Sequence, residues 1–132
     1  MLNTFPDLLN YSFFAPTLLR IMVALVFIAG AYAQYKRREE LSKLHFPIVG
    51  SGRWIIWLSI LAHAAIGFML FFGYYTQIAA LLGAAGGIKG IVYAKHYPRL
   101  FAFCRLEYAF IVVICLSLLF TGAGAFAADL PL

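Results

Sequence analysis

The stretch WIIWLSILAHAAIGFMLFFGYYTQIAALLGAAGGIKGIVYA, Trp54 to Ala94, carries one formal charge, Lys89. It divides at Gly73-Tyr74-Tyr75 into two apolar runs, Trp54–Phe72 and Thr76–Ala94. Each is close to the about 20 apolar residues that a helix needs to cross a bilayer. A short open sheet would leave backbone groups unpaired in lipid, so helices are the expected spanning form. The short turn makes these two runs a tight antiparallel hairpin.

Two more apolar runs flank the hairpin, Thr17–Tyr35 and Ala102–Phe120. The expected fold is all-α. It is an integral membrane four-helix bundle of antiparallel up-down topology, a single transmembrane domain over residues 1–132. Its expected spans are 17–35, 54–72, 76–94 and 102–120.

Composition supports a lipid solvent. Hydrophobic residues make up 64% of the 132 and charged residues 11%, against about a quarter charged in a soluble domain. Mean hydropathy is +0.92. The net charge of +5 is placed between apolar runs, which points to a membrane surface and away from nucleic acid. Cys104 and Cys115, eleven residues apart in one apolar run, would stand roughly 16 Å apart along a helix. They are too far apart to bridge each other and read as small apolar residues. The N-terminus lacks the basic region of a signal peptide, so the first run is expected to be a retained helix.

Charge sets the orientation. Lys36, Arg37, Arg38, Lys43, Arg53, Lys89, Lys95, Arg99 and Arg105 gather at the first and third connections, and Arg20 lies at the other side. The positive-inside rule then places both termini and the Tyr74-Tyr75 turn outside. Trp54, Trp57, Tyr74 and Tyr75 read as interface anchors. The front of the first connection, Lys36 to Phe46, reads as a short interfacial helix. Gly50-Ser51-Gly52 ends it, and Pro98 interrupts the third connection.

Polar groups at membrane depth are costly, and each is a candidate for function. His63 stands near the middle of the second run, with Ser59 and Gly67 on its face. Together they form a candidate polar pocket for a small polar headgroup such as a quinone. The plainer reading is a neutral histidine bonded to helix backbone or to Ser59. Lys89 and Glu107 share a depth and form a candidate intramembrane ion pair, with a structural Lys–Glu bond or a snorkelling Lys89 as the plainer readings. Arg20 is an outer-leaflet polar anchor, satisfied by helix carbonyls, Asp129 or a lipid phosphate. Gly83, Gly86, Gly87 and Gly90 form a stripe that suits close helix packing. No His or Cys at ligand spacing suggests a metal, and no soluble catalytic motif is present. Whether the chain is itself an enzyme stays open.

The pattern resembles the DoxX-like family of small four-span membrane proteins. Leu18-Leu19-Arg20-Ile21 through Phe27-Ile28-Ala29-Gly30 is similar to the family's Leu-Leu-Arg opening. Gly67 to Gly73, followed by Thr76-Gln77-Ile78-Ala79-Ala80-Leu81, is similar to its glycine turn and the small-residue start of its third span. Glu107-Tyr108-Ala109 through Gly122-Ala123-Gly124 and Asp129 is similar to its last span and tail. His63 departs from the pattern, since members often carry Glu there.

The resemblance implies a membrane subunit like those of thiosulfate:quinone oxidoreductases, or a partner of redox and oxidative-stress systems. The first expectation is therefore a quinone-facing subunit of a redox or respiratory assembly in the bacterial cytoplasmic membrane. It would have no complete catalytic site, a possible quinone cofactor, and a protein partner or second copy beside it in the bilayer. The alternative is a non-catalytic structural or assembly subunit. A small transporter is a third reading, disfavoured by four short unbroken spans.

Overall fold

The computed structural model describes residues 14–43, 53–96, 103–122, 124, 127 and 128. Among them lie five helices: α1 (Phe14–Lys36), α2 (Arg38–Ser42), α3 (Arg53–Phe72), α4 (Thr76–His96) and α5 (Arg105–Thr121). Pro16 sits in the first turn of α1, where a missing N–H is tolerated. Lys36 occupies its last turn, where a cation complements the helix dipole.

Among the described residues, three helices are long and apolar enough to cross a membrane: Phe14–Lys36, Arg53–Phe72 and Thr76–Lys95. This corrects the expected four-helix bundle, and the outside placement of both termini that rested on four crossings goes with it. The fourth apolar run fails on length. α5 has 17 residues, a rise of about 25 Å, short of the about 30 Å hydrocarbon core. Its start is fixed by a cap. Cys104 is the N-cap, and its backbone N–H donates to Glu107 Oε2 at 2.6 Å. Gly122, at φ 78°, ends it.

Several small residues face inward and many large apolar ones outward, although Phe27, Leu70 and Leu118 are also buried. Ala24, Ala79, Ala80 and Ala84 are buried, while Leu61, Phe68, Leu81 and Phe120 are exposed. That inversion suits a lipid solvent, where close backbone approach replaces hydrophobic burial as the source of helix adhesion. Trp54 and Trp57 are exposed at one end of α3, Tyr74 and Tyr75 at the other.

The most extensive packing is of α1 with α3 and of α4 with α5. The α3–α4 contact is smaller, although only residues 73–75 join them. The chain neighbours are thus not the closest partners that the three-residue turn suggests. Gly67 packs on Ala24 and Ile28, and Gly30 faces His63, so α1 and α3 run antiparallel. Gly90 meets Tyr108 and Gly83 meets Cys115, so α4 and α5 do also.

Of the short helix expected over Lys36 to Phe46, the described residues show the five of α2. Leu41 buries α2 against Ile56 and Tyr93, across the ends of α3 and α4. The expectations for residues 44–46, 50–52, 98 and 129 lie outside the described residues.

Candidate functional site

A chain of side-chain hydrogen bonds crosses three helices. Lys89 Nζ on α4 donates to Ser59 Oγ on α3 at 3.1 Å. Ser59 Oγ donates to Gln34 Oε1 on α1, also at 3.1 Å. One hydroxyl thus accepts from one helix and donates to another, which only Ser, Thr or Tyr can do. His63 is tied to the same residue through backbone. Its Nδ1 lies 2.8 Å from the Ser59 carbonyl oxygen. A carbonyl only accepts, so Nδ1 carries a proton, and Nε2 is an acceptor when the ring is neutral. The ring of Phe27 tilts against the imidazole, centroids 5.6 Å apart.

Sequence reasoning named His63, Ser59 and Lys89, and the structure brings them together. It missed Gln34. The signal was a carboxamide inside an apolar run, four residues past Gly30 on one helix face. Gly67 is on the face of His63 but away from the cavity beside it. A Cβ built there falls 2.8 Å from Ile28 Cγ1 and 3.2 Å from the Ala24 carbonyl oxygen, so this glycine seats α1 on α3.

The cavity beside His63 is also lined by Val26, Phe27, Gly30, Phe103 and Tyr108, where α1, α3, α4 and α5 converge. Its volume is about 10 Å³, the threshold for holding one water. A quinone ring is many times larger and does not fit without displacing Phe27 or Phe103.

Lys89 and Glu107 make separate contacts, with no hydrogen bond or ion pair between them among the described residues. Lys89 turns to Ser59, and Glu107 closes the N-terminus of α5. The glycines of α4 receive α5 and α1. A Cβ on Gly87 would meet Val112 Cγ2 at 2.7 Å, and one on Gly90 would enter the Tyr108 ring. Gly83 faces Cys115 and Phe27, and Gly86 faces Phe27.

Arg20 is 2% exposed. A Cβ on Gly73 would fall 2.5 Å from its Nη1 and 2.8 Å from Ala127. The guanidinium therefore lies under the α3–α4 turn and the C-terminal tail. The tail is held there by the Ala128 N–H, which donates to the Phe72 carbonyl at 3.4 Å. Within α5 the Thr121 hydroxyl donates to the Ser117 backbone carbonyl at 2.9 Å.

Among the described residues no three His, Cys, Asp or Glu side chains are placed to hold a metal ion. Membrane-length helices packed through small residues around one hydrogen-bonded polar cluster define a small integral membrane protein of several spans. The DoxX family model matches residues 15–92, more than half of the 132, and the chain belongs to the DoxX family. Neither a curated protein nor a solved structure gives a match.

Proposed function

We propose that this chain is a non-catalytic membrane subunit of a redox or respiratory assembly, in which its helices serve as a packed platform for partner subunits. One observation carries the reading. The polar groups at membrane depth are spent on one another, Lys89 on Ser59 and Ser59 on Gln34. A polar cluster satisfied in this way locks helix positions and leaves little to offer a substrate. The redox character of the assembly rests on the family resemblance, as does the bacterial cytoplasmic membrane.

A quinone-facing role is the second reading, favoured by the Nε2 acceptor of His63 and the remaining ammonium protons of Lys89. The interior cavity does not fit the ring, so such contact would be made from the lipid side of α3 and α4.

Purification in mild detergent from native membranes, followed by mass spectrometry of co-purifying proteins and lipids, separates the two. The platform reading expects stoichiometric partner subunits, retained in His63→Leu. Bound quinone that disappears in His63→Leu, with the partners still present, would overturn it in favour of the second. Recovery of the chain with neither would overturn both.

A further inference from the structure

One end of the molecule holds a built, cation-lined groove that the polar cluster does not use. Arg38, Glu39, Ser42 and Lys43 of the α2 region face Arg53 and Trp57 of α3 across about 540 Å³. That volume lies within the range of small-ligand sites, about 300–1,000 Å³. Three cations stand against one carboxylate. Ser42 Oγ donates to the Glu39 carbonyl at 2.8 Å, which pins the short helix.

Arg38 is held in place before any ligand arrives. Its guanidinium lies 4.6 Å over the Tyr35 ring, and Nη1 donates to the Tyr35 carbonyl at 3.3 Å. An arginine fixed in this manner presents its remaining N–H groups as a planar fork, suited to phosphate oxygens. The side chains of Lys43 and Arg53 make no hydrogen bond or ion pair to the described residues, so their protons are available to a ligand.

The groove's position names the source of the phosphate. Arg53 opens a membrane-length helix. Trp54 and Trp57 beside it are 82% and 46% exposed, as indoles are at the headgroup level. The antiparallel packing brings Lys36 at the end of α1, Lys95 near the end of α4 and Arg105 at the start of α5 to this same end. A basic end of this kind faces the cytoplasmic leaflet, where anionic lipids gather. We infer that the groove between α2 and the start of α3 binds the phosphate headgroup of an anionic phospholipid, through Arg38, Lys43 and Arg53.

The test uses the full chain in detergent, titrated with phosphatidylglycerol and, separately, with phosphatidylcholine of the same acyl chains, and read by native mass spectrometry. Each charge-assisted contact to the headgroup phosphate is worth at least about fivefold in binding, so Lys43→Gln/Arg53→Gln is expected to weaken phosphatidylglycerol binding at least about 25-fold. Phosphatidylcholine binding should hardly change. Arg105→Gln removes a charge from the same end but outside the groove, and is expected to leave binding within about twofold. Equal binding of the two lipids overturns the inference. So does a similar loss in Arg105→Gln and the double variant, because that is diffuse attraction and not a site. Complete displacement of phosphatidylglycerol by millimolar inorganic phosphate would show a free-anion site and overturn the lipid assignment. Arg53 and Lys43 are exposed, and Lys43→Gln alone, expected to show the smaller loss of at least about fivefold, probes the same groove with less perturbation.

Discussion

Lys89 on α4 donates to Ser59 on α3 across 3.1 Å, and this bond joins two helices that pack on each other less extensively than α1 on α3 or α4 on α5. A side-chain hydrogen bond in a membrane bundle contributes about 0.6 kcal/mol on average and up to about 1.7. Ser59 takes part in two. Ser59→Ala is therefore expected to destabilise the protein by about 1–3 kcal/mol, since Gln34 and Lys89 each lose a partner. Unfolding in mixed detergent micelles measures it. A double-mutant cycle with Gln34→Leu should show coupling; strict additivity would mean that the bond contributes nothing.

Two neighbouring glycines of α4 should respond in opposite directions. Gly90→Ala places its methyl in the Tyr108 ring, and overpacking of this kind costs about 1–3 kcal/mol. Gly86→Ala meets Phe27 at an ordinary 3.5 Å and gains up to about 1 kcal/mol of helix propensity. Thermal unfolding of the two variants checks the pair. Similar melting temperatures would show that α5 does not sit on the glycine face.

Gly73 and Gly122 both have positive φ, 67° and 78°. Only Gly73 is also hemmed in, by Arg20 and Ala127, whereas nothing lies within 4 Å of a Cβ on Gly122. Gly122→Ala should cost the backbone penalty alone, about 1–3 kcal/mol, since φ 78° with ψ −167° is a region that essentially only glycine enters. Gly73→Ala should cost more, because it also lifts the turn off a buried guanidinium. Equal losses would place Arg20 elsewhere.

Gly30→Ala tests whether the cavity beside His63 has a use. The added methyl would stand 3.4 Å from Phe103 and 3.9 Å from His63, filling space without a severe clash. The platform reading expects stability unchanged or raised by up to about 1 kcal/mol and partner recovery equal to that of the parent chain. Loss of partner or of activity at unchanged stability would reveal a role for the space itself.

The membrane helices were legible because hydropathy over 20 residues is a one-dimensional property. The expected 54–72 and 76–94 fall on Arg53–Phe72 and Thr76–His96 almost residue for residue. α5 misled because its apolar run continues into Arg105 and Glu107 at the boundary. What sets its first turn is a backbone-to-Glu107 bond, and hydropathy does not register that. Depth along a helix was readable, so Lys89 was brought level with Glu107. Rotation about the helix axis was not readable, and rotation turns Lys89 to Ser59. Gln34 lay near the edge of its run, where a polar residue reads as the end of a span. Its role depends on α1 packing against α3 along their length, which no spacing within either helix encodes.

The arrangement of the glycines also bears on how the chain is made. Phe27 is already present to cover Gly86 and part of Gly83 when α4 leaves the ribosome. Gly87 and Gly90 are covered by Tyr108, Val112 and Ile111, all on α5, which is synthesised after α4. For that interval the nascent chain presents two bare glycines, its most adhesive backbone, to whatever lies beside it in the bilayer. The 17 residues of α5 thus act as a late closing piece, and the time between α4 and α5 is the window in which this chain is open to pairing with the wrong neighbour.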